Sequence, residues 1–149
     1  MAPEMTPDLT PREYKYLNPL LLAYIGDAVY ELRVREHLLR QGAVKMNGLH
    51  RQAVSLVNAG RQSRLYSQLE PLLTEEEQEV FRRGRNAHSG HQPPGVSAAG
   101  YRRATGVETL IGWLHLCGRQ DRLEQIFAVL FTAEDEGGDE DKPQEGSDI

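Results

Sequence analysis

Residues 20–32 read LLLAYIGDAVYEL and are apolar apart from two acids, Asp27 and Glu31. A carboxylate in such surroundings is expensive to desolvate unless a cation, several hydrogen bonds or a metal ion compensates it. Neither Lys nor Arg occurs within one helical turn of Asp27. The stretch therefore predicts a buried helix in which Asp27 meets a metal ion or a partner distant in the chain.

A second acid repeats this pattern downstream. Glu108 lies in the apolar residues 107–114, VETLIGWL, and two acids in two apolar helices suggest a shared site. Simpler interpretations stay open: Asp27 as a hydrogen-bonded or arginine-paired core acid, and Glu108 paired with Arg102 or Arg103. Glu31 shares a helical face with Asp27 and is either a surface acid or a further metal ligand.

Length and cysteine content restrict the class of protein. At 149 residues the chain fits one domain with a normal core. Its single cysteine, Cys117, excludes an intramolecular disulfide and a cysteine-based zinc cluster. We see neither a signal-peptide pattern nor an apolar stretch long enough to cross a bilayer, and we expect a cytoplasmic protein.

The net charge of −5 hides an uneven distribution. Residues 133–149 hold eight acids and one lysine, whereas residues 14–132 hold 15 basic and 11 acidic residues. The central part is therefore basic, at +4, and compatible with nucleic-acid binding without proving it.

The chain divides into a flexible leader at residues 1–15, one folded domain at residues 16–132 and a disordered acidic tail at residues 133–149. The domain is predicted to be all-α, with about six helices. The first is capped by Asn18, begins at Pro19 and ends near Arg40, buried on most sides. The others are expected at residues 47–58, 61–69, 74–85, 99–116 and 119–131, with an exposed loop at residues 89–95.

Three motifs resemble one known family. Residues 20–32 resemble the signature helix of the ribonuclease III family, and residues 105–112, TGVETLIG, resemble its second acidic motif. Residues 83–89, RGRNAHS, resemble a basic helix end of the short branch called Mini-ribonuclease III. The resemblance implies a single catalytic domain without the double-stranded-RNA-binding domain of other members.

The resemblance also implies an activity: hydrolysis of phosphodiester bonds in double-stranded RNA. Asp27 and Glu108 would be the catalytic residues and would hold Mg²⁺, for which Mn²⁺ would substitute. Three positions where other members carry acids hold Leu20, Ala23 and Thr105. Water would fill more of the metal's coordination sphere, which suits Mg²⁺.

Substrate and partners follow from the same resemblance. The predicted RNA contacts are Arg83, Arg85, Asn86, Ser89 and Arg102. The implied substrate is precursor large-subunit (23S) ribosomal RNA, with a ribosomal protein as a possible helper. A symmetric homodimer would cut both strands, and the first helix offers an apolar interface including Tyr24, Val29 and Leu32.

Two other functions remain compatible with the residues. A non-catalytic, dimeric RNA-binding adaptor of the same fold would explain the missing acids, although Asp27 and Glu108 are retained. A helical metal-dependent hydrolase of small phosphorylated molecules would instead require a closed pocket, and the expected His-Asp and Glu-x-x-His pairs are missing from the sequence.

Overall fold

The computed structural model describes residues 9–42, 48, 66–87 and 97–137, and none of these residues lies in a strand. Within these ranges we number five α-helices and describe one 3₁₀ turn. In chain order they are α1 Pro11–Lys15, α2 Pro19–Arg40, the turn Glu70–Leu72, α3 Glu75–Arg85, α4 Ala98–Leu116 and α5 Gln120–Gly137. The 3₁₀ turn continues the helical residues 66–69. The prediction of an all-α domain is confirmed. The predicted helix at residues 47–58, except the helical Gly48, and the loop at residues 89–95 lie outside the described residues.

Local signals fix the ends of α2 and α3 where the sequence predicted them. The Asn18 side chain accepts a hydrogen bond from the Leu20 N–H at 3.0 Å, and Pro19 is the first helical residue. At the start of α3, Thr74 accepts from the Glu77 N–H while Glu77 accepts from the Thr74 N–H. This capping box satisfies two N–H groups that would otherwise lack partners.

Two predicted boundaries differ from the structure. Residues 11–15 form α1, begun by a capping box between Thr10 and Glu13, and the Trp113 indole donates to the Pro11 carbonyl at 3.0 Å. These residues are therefore part of the fold and not a flexible leader. At the other end, α5 continues to Gly137 instead of ending near Phe131, because extending a formed helix costs little once it is nucleated.

The helix α4 is the centre of the core, and α2 crosses it at unusually short range. A Cβ atom built on Gly26 would lie 1.7 Å from the Glu108 carbonyl oxygen, and one on Gly112 would lie 1.9 Å from the Leu22 carbonyl oxygen. Only glycine allows two helix backbones to touch in this way. The crossing thus depends on one glycine from each helix.

The helix α3 packs on another side of α4 through a second pair of glycines. A Cβ on Gly84 would lie 2.3 Å from the Thr109 hydroxyl, and one on Gly106 would lie 2.9 Å from the Phe81 ring. The Thr109 hydroxyl is itself buried, 2.7 Å from the Thr105 carbonyl and 3.2 Å from the Pro19 carbonyl. One side chain of α4 therefore contacts both α3 and the first turn of α2.

A buried ion pair joins α3 to α5. Glu77, 3% exposed, accepts from Arg122 at 2.7 and 2.8 Å, and Arg122 also donates to the Leu72 carbonyl. Burial alone would raise the pKa of Glu77, but the hydrogen bonds from Arg122 and Thr74 outweigh it and lower the pKa. The Glu77 carboxylate therefore caps the start of α3 and also pairs with Arg122 of α5.

The helix α2 is not buried on most sides, contrary to the sequence-based expectation. Leu21, Tyr24 and Leu32 are 59%, 79% and 57% exposed. They recur at intervals of three and eight residues, so they follow one side of the helix. The core takes the opposite side, which includes Leu22, Tyr30 and Val34.

We expect Gly26→Ala to lower the free energy of unfolding by about 3 kcal/mol, because the added methyl group meets the backbone of α4. Urea denaturation followed by circular dichroism measures the change. Gly48→Ala is the matched control, since a Cβ on this helical glycine meets nothing within 4 Å. Equal stability of the two variants would contradict the close crossing.

Candidate active site

Asp27 and Glu108 meet where α2 crosses α4. The Glu108 backbone carbonyl packs against Gly26, the residue before Asp27. The charge of Asp27 contributes to raising the pKa of the Glu108 carboxyl group. The structure therefore brings together the two acids that the sequence selected from separate helices.

The two carboxylates differ in burial and in pKa. Glu108 is half-buried, and burial followed by repulsion from Asp27 raises its pKa from 4.5 to about 8. Asp27 is exposed rather than buried, which corrects the sequence-based expectation, because it lies beside the core-facing residues of α2 and not among them. Partial desolvation by the neighbouring protein and then the charge of Glu31 still raise the pKa of Asp27.

Neither acid has a cationic partner among the described residues. The alternative pairing of Glu108 with Arg102 or Arg103 is not formed, and both arginines are exposed. Two adjacent, uncompensated carboxylates fit a divalent cation, whose charge would favour the ionised form of both groups and offset the burial and repulsion that raise the pKa of Glu108. In the described part of the chain no group of three or more His, Cys, Asp or Glu side chains is placed to hold a metal, so these residues offer two carboxylate ligands.

The three positions at which the resemblance led us to expect acids, Leu20, Ala23 and Thr105, supply no other metal ligand. Ala23 is buried, and the buried Thr105 hydroxyl donates to the Tyr101 carbonyl at 3.0 Å. Glu31, left open by the sequence, accepts from Arg35 at 2.5 Å one turn further along α2. That ion pair holds the Glu31 carboxylate in the free protein.

The predicted RNA contacts lie around the last turn of α3. Gly84, in that turn, packs against Gly106 of α4, and Arg102 lies one turn before Gly106. Asn86 and Arg102 are exposed, while Arg85 is half-buried with its guanidinium 6.0 Å from the centre of the Phe81 ring. The two arginine-bearing helix segments therefore adjoin each other; Ser89 lies outside the described residues.

The predicted interface residues divide into two groups. Tyr24 and Leu32 are exposed on one side of α2, whereas Val29 is half-buried and packs against the core. Leu21 and Ala28 extend the exposed stripe, and the sequence analysis did not select them.

Comparisons with known proteins identify the family. The ribonuclease III domain model matches residues 20–119. Mini-ribonuclease 3 of Desulfitobacterium hafniense is 45% identical over 86% of this chain and 82% of its own length. Mini-ribonuclease 3 of Clostridium tetani is 38% identical over 94% of this chain and 93% of its own. The chain belongs to the ribonuclease III family.

A solved structure shares the fold. A crystal structure of a Fusobacterium nucleatum protein superposes with a TM-score of 0.72 at 28% identity, covering 80% of this chain and 95% of that one. The resemblance to Mini-ribonuclease III, predicted from three motifs, is confirmed. As a ribonuclease III family member, the protein is an RNA endonuclease of that type.

Sequence analysis missed the residues that place the site of this ribonuclease III domain. Gly26 and Gly112 make the close crossing, and Thr109 links α4 to the start of α2. A glycine inside a strongly apolar helix is the available signal for such an approach, but it does not identify the partner helix.

None of the described helices combines the length and apolarity that a bilayer span needs.

The raised pKa of Glu108 predicts how stability of the metal-free protein depends on pH. Between pH 4.5 and about 8 the folded protein retains a proton that the unfolded chain has released, so stability falls as pH rises through this window. Glu108→Gln should flatten most of that slope. Urea denaturation in EDTA across this pH range measures it.

Glu36→Gln, at a carboxylate paired with Arg40 on the same helix, is the control and should keep the wild-type slope. A wild-type slope in Glu108→Gln would contradict the assignment of the raised pKa to this group.

Proposed function

We propose that this protein is a Mg²⁺-dependent endoribonuclease that cleaves double-stranded RNA and matures the ends of precursor 23S ribosomal RNA. One observation carries the proposal: Asp27 and Glu108 form an uncompensated acidic pair beside an arginine-bearing helix end. Membership of the ribonuclease III family supports the same chemistry.

In this proposal Asp27 and Glu108 hold the metal ion. The ion held there would supply Lewis-acid chemistry, by activating a water molecule and by stabilising charge on the scissile phosphate. The rigid backbone contact between α2 and α4 fixes the spacing of the two carboxylates. Mn²⁺ should substitute, because it accepts the same oxygen ligands.

Arg85, Asn86, Ser89 and Arg102 are the proposed contacts to RNA. Their charges and hydrogen bonds would track phosphates and 2′-hydroxyl groups, which reads the shape of an A-form duplex rather than its sequence. The position of Arg85, Asn86 and Arg102 around the contact between α3 and α4 supports this role. Binding to generic duplex should therefore be sensitive to salt.

The exposed stripe of α2 is the proposed homodimer interface. Leu21, Tyr24, Ala28 and Leu32 give one continuous apolar side, which suits a two-fold contact between identical surfaces. Asp27 lies on the same helix, so dimerisation would bring two acidic sites together, one for each strand of a duplex. Val29 packs inward and would support the interface from behind.

The cellular setting is proposed from family resemblance. The single cysteine is compatible with a reducing cytoplasm, where precursor ribosomal RNA is processed. A ribosomal protein would serve as a helper by presenting the RNA in a suitable shape.

Replacing either acid should slow cleavage strongly but leave binding intact. We expect Asp27→Asn and Glu108→Gln to slow cleavage of duplex RNA about a thousandfold, the effect of losing several kcal/mol of transition-state stabilisation. Affinity should be retained, because removing a negative charge does not weaken attraction to phosphate. Gel assays with Mg²⁺, on a long generic duplex and on precursor 23S RNA, test this prediction against a Glu36→Gln control.

The same gel assays distinguish the proposed nuclease from the RNA-binding adaptor. Intact RNA with wild-type protein and Mg²⁺, together with tight binding, would favour the adaptor. Cleavage of the generic duplex but not of precursor 23S RNA would retain the nuclease and remove the proposed substrate.

Charges introduced into the exposed stripe should produce a folded monomer. We expect Tyr24→Lys combined with Leu32→Lys to halve the mass measured by light scattering, because unpaired charges in an apolar interface must be desolvated. Leu72→Lys, at an exposed leucine that is not part of α2, should stay dimeric. A monomeric wild type would remove the dimer from the proposal.

A further inference from the structure

The side chain of Arg83 is directed toward the connection between α1 and α2. Its Nη2 donates to the Leu17 carbonyl at 3.5 Å, and its guanidinium lies 5.4 Å from the centre of the Tyr16 ring. One turn earlier on α3, Glu79 pairs with Lys15 of α1 at 2.5 Å. Two successive turns of α3 therefore contact, respectively, the end of α1 and the connection that follows it.

This environment does not suit a phosphate contact. Arg83 is half-buried, and its Nη1 is shielded from solvent without a hydrogen-bond partner among the described residues. Arg102, by contrast, is exposed and has no ion pair within the described part of the chain. An arginine whose donors face the protein interior contributes geometry more readily than charge to a bound duplex.

We propose that Arg83, which the sequence suggested as an RNA contact, is a positioning residue. It ties the last turn of α3, which carries Arg85 and is capped by Asn86, to the residues that lead into α2, which carries Asp27. The Thr109 hydroxyl, 3.2 Å from the Pro19 carbonyl, holds the same segment from α4. The surface that receives RNA is thereby fixed relative to the acidic pair.

The inference rests on the proposed function and deepens it. Cleavage requires the scissile phosphate to lie at the acidic pair, and small errors in placement lower rates strongly. An RNA held by the end of α3 is placed correctly only if that end keeps its position relative to α2. Loss of Arg83 should therefore impair the chemical step and leave the electrostatic binding intact.

The full-length variants Arg83→Gln, Arg83→Lys and Arg102→Gln test this role. Duplex RNA affinity is measured in EDTA over a range of salt concentrations, and kcat and KM are measured with Mg²⁺. We expect Arg83→Gln to lower kcat about tenfold with little change in KM or in the salt dependence of affinity. Arg83→Lys should not restore kcat, because an ammonium group lacks the planar fork that reaches the Leu17 carbonyl and the Tyr16 ring together.

Arg102→Gln is the matched control for a phosphate contact. It should raise KM and reduce the slope of log affinity against log salt by about 0.9, the value for one phosphate contact to duplex DNA. If Arg83→Gln reduces that slope in the same way, Arg83 binds phosphate and the inference is wrong. A lower melting temperature with unchanged kcat would show a purely structural role and would also overturn it.

Hydrogen exchange separates this inference from the proposed function. In Arg83→Gln the amides of residues 16–22 should exchange faster than in the wild type, whether or not the protein cleaves RNA. Unchanged exchange would overturn the inference, whereas a wild type that leaves duplex RNA intact would refute only the nuclease.

If Arg83→Gln fails to fold, the Arg83→Lys variant tests the inference instead. A wild-type kcat in that variant would overturn the inference, and a reduced kcat at unchanged salt dependence would support it.

Discussion

The rest of the structure depends on the backbone contact between α2 and α4. Gly26 and Gly112 lie against carbonyl groups of the opposite helix at distances that no side chain would permit. Because both helices are rigid, this contact fixes the residues beside it, Asp27 and Glu108. The crossing therefore defines the candidate active site as well as the core.

Electrostatics at this crossing oppose stability of the metal-free protein. Glu108 is half-buried next to Asp27, and in the described part of the chain neither acid meets a cation. Glu77, by contrast, is more deeply buried but is compensated by Arg122 and a helix cap. The fold thus compensates a carboxylate that has a structural role and leaves two others uncompensated, which is the pattern expected of residues kept for binding.

The arginines around the end of α3 illustrate why residue type alone does not assign a role. Arg83 and Arg85 are two positions apart and both belong to the basic motif, yet Arg83 donates to the Leu17 carbonyl while Arg85 lies near Phe81. Arg102 reaches solvent from the neighbouring helix. A basic motif predicts an electrostatic surface, whereas the tertiary contacts decide which of its members are available to a ligand.

By itself the sequence determined the helical class and the ends of α2 and α3, because capping residues are local signals. It also selected Asp27 and Glu108 as candidates, because a carboxylate in an apolar stretch is a local signal too. Only the tertiary structure decided that Asp27 is exposed, that residues 11–15 belong to the fold, and that one side of α2 stays uncovered. These properties depend on which helices touch, and a single glycine such as Gly26 sets that contact without indicating its partner. The physical reason is that the sequence shows apolar residues on most sides of α2, whereas the packing of the other helices determines which of those sides is covered.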